Sequence, residues 1–193
     1  MTIAMMKHKD GLQLTSARNS SDSPSGAAAQ GSGAAELIAA ARRGMRRFAR
    51  SVVIITCREQ GRRYAMTATA VCEVSMNPPT ILVCINRSAS IHQPVTDGTG
   101  FRVNLLSKEH ASVAALCADT ARTDERFIQG DWCDADDGPP RLCDALASFS
   151  CRQIATLPFA THTVVVGEVI SVDVAEAGDP LLYSEGKYVS LLR

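Results

Sequence analysis

The pattern of apolar and polar residues divides the chain into a tail and a folded domain. Segments 19–26 and 30–33 are poor in large apolar side chains and carry Ser, Gly and Pro. Such a composition buries too little surface to offset its ordering entropy, so residues 1–34 are predicted to be a disordered tail. Residues 34–50 place apolar side chains at helical spacing between arginines, which predicts a helix with a solvated basic face. The domain is therefore predicted to span residues 35–193.

Beyond this helix, short apolar runs separated by turn residues predict about seven strands. The predicted strands are 52–57, 64–74, 80–86, 101–106, 146–154, 163–174 and the C-terminal segment 180–191, which turns at Gly186. Consecutive strands mostly follow one another without a long helix between them. This order lacks the strand–helix alternation of a doubly wound sheet and favours an antiparallel barrel, mainly β with flanking helices.

Two helices are predicted between the strands. Ser90 and Gln93 have the spacing of a capping box, so Ser90 is predicted to be an N-cap. The amides of that helix start would face the loop that holds Arg87, where they would favour an anion. Ser107 is predicted to cap an apolar helix that carries His110 on its exposed side.

Composition and charge limit the classes of function. The 193 residues fit one domain, and 46% hydrophobic residues are enough for a core. Because 20 basic residues balance 20 acidic ones, the net charge is zero and does not indicate binding to nucleic acid or to an anionic membrane. Apolar runs are strand-sized rather than membrane-spanning, and the start of the chain lacks the apolar core of a secretory signal. We expect a protein that binds neither nucleic acid nor membrane.

The seven cysteines show no pair with C-x-x-C spacing. An odd count without such a pair predicts a reducing cytoplasmic location, no disulfide framework and no metal site. Cys72 and Cys84 lie among apolar or small residues, which is typical of buried thiols.

The stretch from Ala65 to His92 carries the candidate chemistry. Small and hydroxyl residues fill its first part, and a polar loop follows the strand after Pro78 and Pro79. Small side chains let a flat ring approach the backbone, while hydroxyl groups and an arginine donate to anionic oxygens. The stretch therefore predicts a pocket for a planar, phosphorylated ligand. No G-x-G-x-x-G or G-x-x-x-x-G-K motif is present, so a Rossmann-type site is not expected.

Four motifs in order resemble the short-chain flavin reductase family, above all reductases of the 4-hydroxyphenylacetate 3-monooxygenase type. They begin at Met66, Pro78, Asn86 and His162, and the likeness runs from about residue 37 to the C-terminus. The resemblance implies an FMN-binding split β-barrel that forms a homodimer. It also implies hydride transfer from NADH or NADPH to FMN or FAD, which would supply reduced flavin to a separate flavin-dependent oxygenase. Two alternatives stay open: a bound-flavin reductase of another acceptor, such as a cobalt corrinoid or ferric chelate, and a non-catalytic flavin-binding protein.

The resemblance also implies a role for particular residues. Residues expected to contact the flavin are Met66, Thr67, Ala68, Thr69, Ala70, Cys84, Asn86, Arg87, Ser88, Ala89, Ser90 and Phe127. The first five would line the ring and ribityl chain, and the loop from Asn86 to Ser90 would hold the phosphate. His162 would lie near the nicotinamide and position it, while Glu168 would pair with an arginine.

Each of these assignments has a simpler alternative. The threonines of the first motif also suit a plain strand, and a histidine that begins a strand is often just exposed. The sequence does not choose FMN over FAD, NADH over NADPH, or a flavin that is a substrate over one that stays bound. The partner enzyme is likewise not identified.

Overall fold

A computed structural model describes residues 27–133 and 138–191. Its helices are α1 (Ala27–Arg46), α2 (His92–Thr96) and α3 (Ala111–Ala118), with short 3₁₀ turns at Lys108–His110 and Thr123–Glu125. The first strands in chain order are β1 (Arg50–Ser51), β2 (Val53–Glu59), β3 (Arg62–Ala68), β4 (Val71–Met76), β5 (Pro79–Asn86) and β6 (Phe101–Leu105). The later ones are β7 (Trp132–Cys133), β8 (Arg141–Leu142), β9 (Ala147–Phe159), β10 (His162–Val174), β11 (Leu182–Ser184) and β12 (Lys187–Val189). Within the described residues, every helix is too short or too polar to cross a membrane.

Seven antiparallel strands form one sheet in the order β3-β2-β6-β9-β10-β5-β4. Strands β3 and β4 therefore lie at opposite edges, although only Thr69 and Ala70 separate them in the chain. Three residue steps span about 10 Å at most, so the sheet must curl until its two edges almost meet. The edges are joined by the chain and not by a ladder of hydrogen bonds. The predicted antiparallel split barrel is confirmed.

The single strand predicted over residues 64–74 is wrong. It is broken at Thr69 and Ala70, because pairing changes there from β2 to β5: Ala68 lies opposite Val53, and Val71 lies opposite Val83. Both halves have strand-like composition, so the sequence alone does not show that their partners differ.

Strand β2 is buried on both faces, which explains its unbroken apolar run. Val53 and Ile55 face the core inside the barrel, around Phe101 and Val165. Val52, which precedes β2, and Ile54 belong to a second apolar cluster with residues of α3. Gly167 of β10 also serves the barrel core, because a Cβ there would lie 2.5 Å from Cζ of the buried Phe101.

A buried amide links the segment around β8 to the barrel. Asn104 of β6 donates through Nδ2 to the carbonyl of Ile54, at 3.1 Å. Its Oδ1 accepts from Ser148 Oγ at 2.8 Å and from the Leu142 amide at 3.1 Å. The side chain is fully buried and both ends are bonded, so it fixes how β8 packs on the sheet.

The helix boundaries differ from those predicted. Helix α1 begins at Ala27 and ends at Arg46, so the tail boundary predicted at residue 34 falls inside it; residues 1–26 lie outside the described part. The N-cap of α2 is Ile91, and Gln93 donates to Asp97 at 2.8 Å instead of reaching back to Ser90. The predicted capping box at Ser90 is therefore wrong, because the side-chain amide of Gln93 donates to the Asp97 carboxylate, one turn later in the helix.

Ser107 does cap the turn that leads into α3, as predicted. Its backbone N–H donates to His110 Nδ1 at 3.1 Å, and its Oγ lies 2.9 Å from the same nitrogen. His110 Nε2 lies 3.0 Å from Asp144 Oδ1, although it is not aligned for a hydrogen bond. His110 is buried, so the predicted exposed position is wrong. Its contacts with Ser107 hold the ring against the fold.

Two predictions about cysteines are also wrong. Cys133 and Cys143 form a disulfide, with their Cα atoms 5.5 Å apart on β7 and just after β8. Pairing of these two short strands brings together thiols that the spacing of the sequence does not relate. Cys72, expected to be buried, is exposed on β4 at the edge of the sheet, whereas Cys84 is half-buried.

Candidate functional site

A groove of about 1020 Å³ runs along β4 and β5 at the edge of the sheet and reaches β10, β6 and residues 49–53. Its walls are largely apolar and include Val71, Ile81, Leu82, Phe149, Val169 and Val172. Thr69 and Ala70 lie at one part of its lining, where the chain crosses between the two edges of the barrel. A groove of this size and character suits a large planar ligand.

The crossing segment holds its position through the backbone. The carbonyl of Ala70 accepts from the Cys84 amide at 3.0 Å, which joins the segment to β5. The side chains here are small or β-branched, so a flat ring can approach the main chain closely. Cys84 itself also lines the groove.

A polar loop follows the end of β5. Asn86 Oδ1 accepts from the Ser88 amide at 2.9 Å and from Ser88 Oγ at 2.8 Å. The Ala89 amide donates to the Asn86 carbonyl at 3.0 Å, and the Arg87 amide donates to the Thr161 carbonyl at 2.9 Å. These bonds shape the loop before any ligand binds. The exposed Arg87 forms no ion pair with a described residue, so its charge is available to an anion.

His162 stands beside this loop. It begins β10 directly opposite Asn86 of β5, and its Nδ1 lies 2.9 Å from Thr161 Oγ1. Side chains two residues apart on a strand share a face, so His162 and Asn86 lie on the same side of the sheet as Cys84. His92 Nε2 lies 2.8 Å from Oγ1 of the buried Thr163, which connects α2 to β10.

A second, smaller cavity of about 240 Å³ lies at the start of β3. It is lined by Arg62, Arg63, Tyr64, Ala65, Ser90, Thr123, Asp124, Arg126, Phe127 and Ile128. The guanidinium of Arg63 lies 4.4 Å from the centre of the Phe127 ring. The Trp132 ring packs edge-on against the Phe127 ring, with the two ring centres 5.0 Å apart. Arg126 is buried, and burial lowers its pKa from the usual value. Three guanidinium groups make this cavity electropositive.

Residues 45–192 match the model of the flavin reductase like domain. The chain belongs to the flavin reductase-like family. The family resemblance drawn from the four motifs is thereby confirmed.

Three relatives illustrate the family. The reductase component of an FADH(2)-dependent resorcinol hydroxylase from Rhizobium sp. (strain MTP-10005) is 39% identical over 75% of this chain and 82% of its own length. An FMN reductase (NADH), RutF 1, from Methylorubrum extorquens is 42% identical over 80% of this chain and 77% of its own. The solved structure of SgcE6, an NADH:FAD oxidoreductase from Streptomyces globisporus C-1027 in complex with NAD and FAD fragments, has a TM-score of 0.73. It is 28% identical and covers 78% of this chain and 90% of SgcE6.

The structure places the predicted flavin-binding residues in four groups. Thr69, Ala70 and Cys84 line the large groove, whereas Ser90 and Phe127 line the smaller cavity. Asn86, Arg87, Ser88 and Ala89 form the loop that joins Cys84 to Ser90 in the chain, with His162 beside it. Met66, Thr67 and Ala68 line neither cavity.

The side chains of this last group pack against the rest of the fold, with Met66 and Ala68 on one face of β3 and Thr67 on the other. Ala68 belongs to the barrel core, and Met66 packs against it. Thr67 Oγ1 donates to the Ala114 carbonyl of α3 at 2.7 Å, so its hydroxyl is not directed at a ligand. The Ala65 carbonyl points to the open edge of β3, where Arg126 binds it. Because such groups alternate along a strand, the Thr67 amide also points to that edge, where it can still serve a flavin.

Sequence reasoning missed Arg63 and Arg126 as candidate site residues. Nothing in the local pattern distinguishes them from the other arginines, since only the fold brings residues 62–65 next to residues 123–128. The Glu168 prediction agrees with the geometry: its Oε2 lies 2.6 Å from Arg152 Nη2.

We predict that Thr67→Val lowers stability without weakening flavin binding. Valine has a similar shape but leaves the Ala114 carbonyl without its side-chain donor, which costs about 1 kcal/mol in the free energy of unfolding. Urea denaturation measures the first effect and fluorescence titration with flavin the second. Thr67→Ser keeps the hydroxyl and serves as the control. A flavin affinity at least tenfold weaker in the valine variant, with unchanged stability, would contradict a purely structural hydroxyl.

Proposed function

We propose that this protein is an NAD(P)H-dependent flavin reductase that takes up FMN or FAD in the groove, receives hydride from reduced nicotinamide and releases reduced flavin. The observation that carries the proposal is the apolar groove where the two edges of the barrel meet, in a chain of the flavin reductase-like family. The relative from Rhizobium sp. is the reductase component of a hydroxylase, which supports a separate oxygenase as the recipient of the reduced flavin.

The groove supports the proposal by its shape and chemistry. Its volume of about 1020 Å³ is large enough for two stacked ring systems, and its walls give both rings apolar contacts. The nicotinamide and the flavin supply the redox chemistry themselves when bound. The residues of this chain have only to orient the rings, to exclude water and to hold the charged ends.

We assign the flavin phosphate to the loop from Asn86 to Ser90. The loop is already held in shape by the Asn86 side chain, so little conformational entropy is lost when an anion binds. Arg87 adds a positive charge that no described carboxylate neutralises. Thr69 and Ala70 then fall on the side of the groove where the ring would lie.

We assign His162 to positioning the nicotinamide. Its ring is exposed at the start of β10, on the face that it shares with Asn86 and Cys84. The same face leads into the groove through Cys84. A neutral or charged imidazole there can hydrogen-bond a carboxamide without taking part in the hydride step.

We also propose that the protein is a homodimer. A set of large apolar side chains on β4, β9 and β10 is exposed, comprising Val74, Met76, Ile154, Leu157, Phe159, Ile170, Val172 and Val174. Apolar patches of this extent on a monomer mark an interaction surface. Because Val172 also lines the groove, a second subunit on this surface would border and deepen the site. We further propose a cytoplasmic location, where reduced nicotinamide is supplied, although the Cys133–Cys143 disulfide is unusual for that compartment.

The activity is tested with flavin-stripped protein and graded FMN or FAD, following oxidation of NADH and of NADPH. We expect saturable turnover that rises with free flavin, because the flavin acts as a substrate. Flavin binding without turnover would contradict the proposal and favour a carrier. Turnover only with an added cobalt corrinoid or ferric chelate would instead indicate a bound-flavin reductase.

For His162→Ala we expect the KM for the reduced nicotinamide to rise about five- to tenfold, the equivalent of one lost hydrogen bond. The flavin dissociation constant should change less than twofold. His162→Gln keeps a donor and should recover part of the loss. Unchanged steady-state kinetics in the alanine variant would remove His162 from the site.

For Leu157→Glu we expect a dimer to become a monomer in sedimentation equilibrium, because a carboxylate would have to be buried without a partner. Leu157 is 55% exposed on β9. The matched control is Leu191→Glu, since Leu191 is 52% exposed after β12, outside the three strands of the proposed surface, and should leave the mass unchanged. A monomeric wild-type protein would contradict the proposed dimer.

A further inference from the structure

We propose that the Cys133–Cys143 pair is a reversible thiol switch, which a dithiol reductant of the thioredoxin class opens and which adjusts how tightly the protein holds its flavin. The exchange of the disulfide is independent of the proposed function, and only its effect on the flavin rests on that function. Three features carry the inference: the difference between this pair and the other cysteines, an arginine beside one sulfur, and the contacts of the strand that the disulfide ties down.

The pair stands apart from the other cysteines of the chain. Cys133 and Cys143 are joined in a disulfide, whereas the other five cysteines are free. Burial raises the pKa of Cys57, Cys117 and Cys151 to about 12, so these thiols stay protonated and do not exchange with the pair. In a compartment that keeps thiols reduced, a disulfide among free thiols is usually transient and redox-sensing rather than a permanent cross-link.

A reductant can reach the sulfurs of the pair. Cys133 and Cys143 are half-buried, and strands β7 and β8 form a separate sheet of two strands. Only two residue pairs join these strands, Trp132 with Leu142 and Cys133 with Arg141. Thiol–disulfide exchange depends on access to the sulfur that is attacked. The bond can therefore be opened without separating any strand of the seven-stranded sheet.

Arg141 determines which sulfur leaves. Its Nη2 lies 3.4 Å from Cys133 Sγ, and its Nε lies 3.9 Å from Asp173 Oδ2, so the carboxylate holds the arginine only loosely. A guanidinium beside a sulfur stabilises the thiolate, and the sulfur that forms the more stable thiolate leaves faster. Cys143 is followed instead by the exposed carboxylate of Asp144. Cys133 is therefore the leaving group, and Cys143 is the residue that the reductant attacks.

The exchange transfers two electrons and two protons. A thiolate of the reductant attacks Cys143 Sγ, the S–S bond breaks, and its electron pair stays on Cys133 Sγ beside Arg141. The second thiolate of the reductant then attacks the reductant's own sulfur in the mixed disulfide and releases the Cys143 thiolate. Two protons that the reductant loses reach the two cysteines through water. The reductant is oxidised to a disulfide, and an oxidised dithiol reverses the reaction.

Strand β8 stays in place when the bond opens, because the barrel holds it. The Leu142 amide donates to Asn104 Oδ1 at 3.1 Å, and the Leu142 side chain is fully buried. Just before β8, Thr56 Oγ1 donates to the Pro140 carbonyl at 2.6 Å. Opening the disulfide therefore releases β7 rather than β8.

Strand β7 is held less firmly than β8. The indole N–H of Trp132 donates to the Gln129 carbonyl at 2.7 Å, only three residues earlier in the chain. The half-buried Trp132 ring packs at the margin of the apolar cluster that contains Leu142, and edge-on against Phe127. Once the covalent bond is opened, these contacts and the two pairs with β8 are what hold the strand. Reduction should therefore let β7 and the Trp132 ring move.

The position of Trp132 affects the candidate site through Phe127. The Phe127 ring lines the smaller cavity, with the Arg63 guanidinium 4.4 Å from its centre. Phe127 is also among the residues expected to contact the flavin. When β7 moves, this ring loses its edge-on contact with Trp132, so the flavin should bind more weakly. The oxidised pair is therefore the state that retains the flavin.

The test compares the oxidised and the reduced protein. The protein is equilibrated with mixtures of oxidised and reduced dithiothreitol, and separately with reduced thioredoxin, and its free thiols are counted after an acid quench. We expect five thiols in the oxidised and seven in the reduced protein, with full reversal. Trp132 is the only tryptophan of the chain, so its fluorescence should change together with the thiol count. The flavin dissociation constant should rise about fivefold on reduction, as expected for the loss of one aromatic contact.

Two variants separate the cysteine pair from its arginine. The double variant Cys133→Ser and Cys143→Ser should bind flavin like the reduced wild type and should not respond to the reductant. Arg141→Gln should slow the reduction about tenfold, because the leaving thiolate loses its stabilising charge. An arginine that only held β8 in place would instead give faster reduction when it is replaced. The matched control is Arg122→Gln, which removes an exposed arginine that pairs with Glu125 and should be reduced at the wild-type rate.

Three results would overturn the inference. A disulfide that reduced thioredoxin opens only after unfolding in urea would be a permanent cross-link. A count of seven thiols that oxidised dithiothreitol does not lower to five would mean that the pair does not exchange. Equal flavin affinity in the two states would show that the exchange does not control the site. Absence of flavin binding in both states would refute the proposed function and the effect on the flavin, while the thiol count and the tryptophan fluorescence would still decide whether the pair exchanges.

Discussion

The two-residue link between the opposite edges of the sheet is the constraint on which the rest of this structure depends. Because Thr69 and Ala70 are all that joins β3 to β4, the seven strands have to close into a barrel, whatever the packing inside. The closure is covalent and leaves no ladder between the two edge strands. The same crossing residues line the large groove, so the feature that closes the fold also forms part of the candidate site.

Strand β3 must be held firmly at an edge where it has only one strand neighbour. The structure supplies that support from the outside: Thr67 is bonded to α3, and Arg126 binds the Ala65 carbonyl. These contacts fix the register of β3 against β2, and hence the place where Thr69 leaves the sheet. Arg126, which stabilises the strand, therefore also lines the smaller cavity. This edge of the sheet thus has a structural role and also borders a candidate site.

The predictions that succeeded concern features encoded by neighbouring residues. The strands that became β5 and β10, the turn at Gly186 and the cap at Ser107 all follow from local periodicity or turn chemistry. His162 lies beside the loop from Asn86 to Ser90, whereas the binding roles that the motifs imply for both stay predictions.

The predictions that failed depend on partners distant in the chain or on competition between neighbours. The Gln93 side chain could accept from the Ser90 backbone amide or donate to the Asp97 carboxylate, and the charge-assisted bond to Asp97 is the one that forms. The burial of His110, the Cys133–Cys143 pair and the cavity around Arg126 all require segments that the sequence does not bring together. That Thr67 faces α3 follows from the position of this helix, which no pattern within β3 reveals.

An open groove also bears on how such a reductase would handle its flavin. The groove is bounded by sheet edges and exposed strand ends, and the polar loop follows β5 just beyond Cys84, the last β5 residue in the groove lining. A ligand held by apolar walls and one charged end can leave without unfolding an element of the barrel. Tight retention would need contacts elsewhere, and the arginines around the smaller cavity are the described groups placed to provide them. The balance between release and retention would therefore be set at the phosphate end of the flavin, away from the ring where hydride transfer takes place.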